Sequence, residues 1–78
     1  MSMNENNFGF FNQNSKLLTE REYEVLRLIV LGKTNIKIAR ELSISVHTAK
    51  AHVCSILQKM CVGDRVQAAV KAVRKGLC

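Results

Sequence analysis

Proline is absent, tryptophan is absent and glycine occurs only four times, so a turn-rich β domain is a poor fit and an all-α chain is a good one. Long apolar runs are missing too. The longest is Leu28-Ile29-Val30-Leu31, far below the roughly 18–20 residues of a membrane span. No charged stretch leads into a signal-peptide core, so neither insertion nor export is expected and the cytoplasm is the expected location. Cysteine is scarce: Cys54, Cys61 and Cys78 are odd in number and share no two-residue spacing of metal knuckles or redox pairs. Reduced thiols are therefore expected in place of a disulfide scaffold. Acids are few, 6 against 12 Lys+Arg, and the net charge of +6 favours a polyanionic partner. With 78 residues the chain forms one small domain. Burying only about 60% of its unfolded surface, it has no room for a multi-lobed catalytic cleft.

Residues 1–16 carry five asparagines and no helical or alternating apolar period, and read as a flexible Asn-rich tail. The tail holds Phe8, Phe10 and Phe11, which either pack loosely on the domain surface or meet a protein partner. The remainder, 17–78, reads as four helices. Thr19 and Glu22 form a capping-box signature for the first, with Leu18 set to staple against Tyr23 and Gly32 to end it. Its inward face is Val25, Leu26, Ile29 and Val30. Thr34 caps a second, Asn35–Leu42, with Ile38, Ala39 and Leu42 inward. Ser45 opens a third, reaching Met60 with an apolar stripe of Ala49, Val53, Ile56 and Met60. Asp64 and Gln67 open a fourth, which Gly76 closes. Val66, Ala69, Val70, Val73 and Leu77 are expected on its inner face.

The second and third helices are joined by about three residues, with a small Ala39 where they cross. That spacing fits a helix-turn-helix, although an ordinary helical hairpin uses equally short connections. At 100° per residue, His47, Lys50, Ala51, Cys54 and Gln58 share a stripe opposite the apolar one, with no acid among them. A helix entering the major groove needs such a face: short side chains, donors for base edges and no carboxylate facing the phosphates. Residues 25–63 hold six bases and one acid, Glu41. A charge run is more often a solvated face than a site, but here it coincides with a docking geometry. Thr34, Asn35 and the amides opening the second helix suit a phosphate, though Thr34 also serves simply as a cap. Lys37 adds a charge there. Thr48 and Lys59 lie along a flank of the third helix, as phosphate contacts or ordinary surface. On the fourth helix, Ala68 and Ala72 widen the apolar arc beyond one core. Ala68, Ala69, Ala72 and Val73 are therefore expected in a dimer interface, the competing reading being that the alanines are only good helix formers.

An enzyme finds no support. His47 and His52 are five apart and off a common face, and there is no carboxylate pair or Gly-rich phosphate loop, so no catalytic residue, metal ligand or cofactor is expected. His52 reads as a partly packed histidine, and Cys54 as a candidate redox switch only if its thiolate is stabilised.

Residues 18–77 resemble the LuxR/GerE-type helix-turn-helix family. The resemblance is carried by Leu18-Thr19-x-Arg21-Glu22-x-Glu24-Val25-Leu26 and Gly32-x-Thr34-Asn35-x-x-Ile38-Ala39. It continues through Leu42-Ser43-Ile44-Ser45-x-x-Thr48-x-Lys50-x-His52 and Lys59-Met60-x-Val62-x-x-Arg65-x-x-Ala68. It implies a four-helix domain whose third helix reads double-stranded DNA in the major groove and whose fourth often mediates dimerisation, in the service of transcription. By position it implies base contacts from Lys50, Ala51 and Cys54, with His47 an addition, and backbone contacts from Thr34, Asn35, Thr48 and Lys59. The chain is similar to the free-standing GerE-like members, so a module without a receiver or ligand-sensing domain is the expectation.

The chain departs from the family pattern in four places. Ile36 and Lys37 stand where Lys then Glu are usual, so Thr34 loses the acidic partner of its capping box. Ala49 is smaller than the usual valine. Cys61 replaces a frequent glycine, with Gly63 expected to take over the turn, and Cys54 replaces a polar reader. Two rival functions remain open. One is an anti-activator pairing through the fourth helix or the Phe-containing tail with a larger regulator. The other is an RNA or membrane-surface binder driven by charge alone.

Overall fold

The computed structural model describes residues 18–78; the tail expected over 1–16 lies outside them. Four helices follow one another: α1 (Glu20–Val30), α2 (Asn35–Leu42), α3 (Val46–Met60) and α4 (Arg65–Arg74). The described residues contain no strand. α1 packs on α3 and α4, α2 packs on α3, and α4 closes the bundle against α1 and α3.

Each helix begins where its first orphan amides find an acceptor. Thr19 Oγ1 accepts from the Glu22 amide, and Glu22 Oε1 accepts from the Thr19 amide at 2.9 Å, which completes the capping box. Thr34, Ser45 and Asp64 accept from the amides of Lys37, Thr48 and Gln67. Gln67 does not return its side chain to the cap residue; its Oε1 accepts from the amide of Gly63.

All four helices stop in the same way. A left-handed residue follows the last turn: Gly32, Ser43, Cys61 and Gly76, with φ of 82°, 57°, 58° and 70°. The next amide then bonds back to the carbonyl five residues earlier, from Lys33 to Leu28, Ile44 to Ala39, Val62 to Leu57 and Leu77 to Ala72. The left-handed turn expected at Gly63 is instead made by Cys61. The reason is geometric: the bond from Val62 to Leu57 requires the reversal one residue before Val62.

The core is formed by Val25, Leu26 and Ile29 of α1, Ile38 and Ala39 of α2, Ala49, Val53, Ile56 and Met60 of α3, and Ala68 and Ala72 of α4. The inward faces expected for the first three helices are therefore observed, with Val30 and Leu42 at the margin of the core. α4 is turned about its axis from the expected orientation. Ala68 and Ala72 are wholly buried, whereas Val66, Val70 and Val73 are 67, 44 and 57% exposed. With an apolar arc this wide, packing decides the face, and the alanines allow α4 to approach α1 and α3 closely. Ala68 and Ala72 are core residues and not available to a second chain.

Candidate nucleic-acid interface

α2, the three-residue turn and α3 form the helix-turn-helix that the spacing suggests. Ser43 supplies the left-handed turn, Ile44 packs against the core, and Ser45 caps α3. The buried stripe Ala49, Val53, Ile56 and Met60 fixes how α3 is rotated, so the opposite stripe is presented. His47, Lys50, Ala51, Cys54 and Gln58 are all exposed, and no acid lies on α3. Val46, at the start of α3, is also exposed, as is Ile36 near the start of α2. Neither was expected as a site residue, because an apolar side chain offers no charge or hydrogen-bond donor that would mark it in the sequence.

The cations around this face divide into engaged and open ones. Lys33 pairs with Glu41 at 3.4 Å, so the single acid of the helix-turn-helix is neutralised locally. Lys37, Arg40 and Lys50 have exposed side chains with no partner among the described residues. Thr34 is exposed and its hydroxyl oxygen serves as the cap of α2; Asn35 is half-buried. Thr48 Oγ1 accepts a hydrogen bond from the Ser45 hydroxyl at 2.9 Å, which leaves the Thr48 hydroxyl able to donate outward.

Lys59, expected along a phosphate strand, is engaged within the fold. Its side chain is only 20% exposed, and Nζ donates to Glu22 Oε1 at 2.8 Å. Glu22 is the centre of a polar tie between α1 and α3. Its carboxylate accepts from the Thr19 amide, from Lys59, and from the Ser55 hydroxyl at 2.7 Å. Burial pushes the Glu22 carboxyl up, but the Lys59 ammonium, the Thr19 amide and the Ser55 hydroxyl outweigh it and hold the group below its ordinary value. The capping-box spacing located Glu22, but nothing local signalled its bonds to side chains 33 and 37 residues away.

Two more long-range ties position the helices. Arg65 reaches from α4 to Asn35 and to the Lys33 carbonyl, and Lys71 Nζ donates to the Met60 carbonyl at 2.7 Å, where the negative end of the α3 dipole lies. All three cysteines are free and exposed. Among the described residues no cluster of three His, Cys, Asp or Glu is arranged to hold a metal, and no helix is long and apolar enough to cross a membrane.

The arrangement can lay an acid-free helix face against a polyanion while open cations and capped amides flank it. Comparison with known proteins agrees. Residues 16–72 match the family described as bacterial regulatory proteins, luxR family. Among curated relatives, the chain is 53% identical over 60 residues to the transcriptional regulatory protein LiaR of Bacillus subtilis (strain 168), covering 77% of this chain and 28% of that one. It is 50% identical over 60 residues to the transcriptional regulatory protein DegU of Brevibacillus brevis, covering 77% and 25%. It is 45% identical over 62 residues to the response regulator protein VraR of Staphylococcus aureus (strain NCTC 8325 / PS 47), covering 80% and 30%. The chain thus spans about a quarter to a third of the length of these relatives.

Proposed function

The chain belongs to the luxR family of bacterial regulatory proteins, and from that membership we propose that it is a cytoplasmic transcription regulator that binds double-stranded DNA sequence-specifically. The observation that carries the proposal is the presented face of α3, where His47, Lys50, Ala51 and Cys54 are exposed together without an acid. In this reading α3 lies in the major groove, Lys50 donates to guanine edges, and Ala51 and Cys54 allow close approach. Thr34, Asn35, Lys37 and Thr48 meet the phosphates, with Arg40 added on the strength of its open side chain. Lys59 is left out, because its ammonium is held by Glu22.

The protein acts as a homodimer on a pseudo-palindromic site. The exposed apolar residues of α4 support this: Val66, Val70 and Val73, with half-buried Ala69, form the surface that a second copy covers. Those valines also favour a second reading, an interaction module that pairs with a larger regulator through α4.

Selection from random duplex DNA at near-physiological salt, with Lys50→Ala alongside, separates the two. A twofold-related motif whose half-sites lie about one helical turn apart, and which the variant loses, supports the dimeric reader. Salt-sensitive binding without any enriched motif refutes it and favours the interaction module.

A further inference from the structure

Arg65 begins the last helix, yet its guanidinium reaches to the start of α2. Nη1 donates to Asn35 Oδ1 at 2.7 Å and Nη2 donates to the Lys33 carbonyl at 2.9 Å. A guanidinium has donors and no acceptor. The Asn35 atom that faces it must therefore be the oxygen, and the Nδ2 amino group, with its two N–H donors, is turned away from Arg65. Were the amide free to rotate by half a turn, its oxygen would take the place of those donors and repel an anion. Because Asn35 is half-buried at the first residue of α2, the bond to Arg65 holds one of these two orientations. The second bond, to the Lys33 carbonyl, ties the α1–α2 turn to the same group.

We propose that Arg65 is a positioning residue for DNA: by holding Asn35 Oδ1 and the Lys33 carbonyl, it sets the Asn35 amino group to donate to a backbone phosphate. The proposal rests on the DNA-binding reading above. Arg65 does not touch the phosphate; it acts through Asn35.

The test measures binding of the 78-residue chain to a labelled mixed-sequence duplex of about 30 base pairs, three helical turns, over a range of salt. Arg65→Gln, Asn35→Ala and the double variant form a cycle. Each single change is expected to weaken binding about tenfold, and the double change to weaken it by the same tenfold, because both remove one oriented donor. The salt slope of Arg65→Gln stays that of the unsubstituted chain, since no cation leaves a phosphate. Additive losses of about a hundredfold, or a slope reduced by about one, overturn the proposal. So does tight binding by Arg65→Gln.

Should Arg65→Gln fail to fold, Asn35→Asp provides the reading. Its two oxygens keep the Arg65 bond and the fold but offer no donor, and Ile36→Asp, at an exposed neighbour, supplies the effect of the added charge alone. Asn35→Asp is expected to bind about tenfold more weakly than Ile36→Asp. Equal binding overturns the proposal. If the unsubstituted chain itself fails to bind the duplex, the DNA reading falls and the proposal with it. Binding that survives in the unsubstituted chain and in Arg65→Gln alike removes the proposal only.

Discussion

Replacing Glu22 by alanine removes the group that ties α1 to α3. The Glu22 side chain is 7% exposed and accepts three hydrogen bonds, from the Thr19 amide, Ser55 and Lys59. Breaking a buried ion pair from one side typically costs about 3–5 kcal/mol, because the partner charge is left without compensation. Here Lys59 is 20% exposed and regains some water when released, so about 2–3 kcal/mol is the expected loss. Domain stability is about 0.05–0.15 kcal/mol per residue, or roughly 3–9 kcal/mol for the helical domain, so the loss is a large fraction of the whole. At about 4–8 °C per kcal/mol for a domain of this size, Tm falls by roughly 8–24 °C in a circular dichroism melt. Glu22→Gln keeps an acceptor for the Thr19 amide but loses the charge, and is expected to fall between the two.

The same group predicts a pH dependence. The Glu22 carboxyl titrates below its ordinary value of 4.5 in the folded chain, so its contribution is present above the unfolded value and is lost as pH falls through the folded one. Stability should therefore decline as pH drops below about 4.5, and Glu22→Gln should decline less steeply over that window. A Glu22→Ala melt within about 0.5 kcal/mol of the unsubstituted chain would refute the reasoning, because surface changes have effects of that size. An unchanged acid slope in Glu22→Gln would refute the assignment of that slope to Glu22.

Two further changes test the helix ends and α4. Cys61→Gly relieves a non-glycine residue at φ 58° and should raise stability by about 0.5–1 kcal/mol in urea unfolding; a loss would mean that the left-handed turn carries no strain there. Val70→Asp on the exposed face of α4 should leave the melt of the monomer nearly unchanged and abolish self-association in sedimentation. Ala72→Asp places a charge at a wholly buried position and should unfold the domain, and similar behaviour of the two variants would contradict the orientation of α4.

Helix positions were legible in the sequence because caps are local. Thr19, Thr34, Ser45 and Asp64 each lie three residues before the amide they accept from, so chain spacing alone finds them. The faces of α1, α2 and α3 were legible for a similar reason, since each carries one apolar stripe of clear helical period. α4 was not, because alanines and valines cover so much of its circumference that periodicity does not choose between them. The exposed stripe of α3 follows from the buried one by rotation, which is why His47, Lys50, Ala51 and Cys54 could be singled out. The engagement of Lys59 could not, because its partner lies on another helix.

The sequence by itself therefore determined four helices, where they begin, which faces of the first three turn inward, and the family to which they belong, all through interactions a few residues apart or through short motifs. Tertiary structure alone decided the rest: that Ala68 and Ala72 fill the core while Val66, Val70 and Val73 face outward, that Lys59 is held by Glu22, and that Arg65 grips Asn35 across 30 residues. In each case the outcome depends on which side chains are brought together in space, and a one-dimensional period carries no information about a contact between helices.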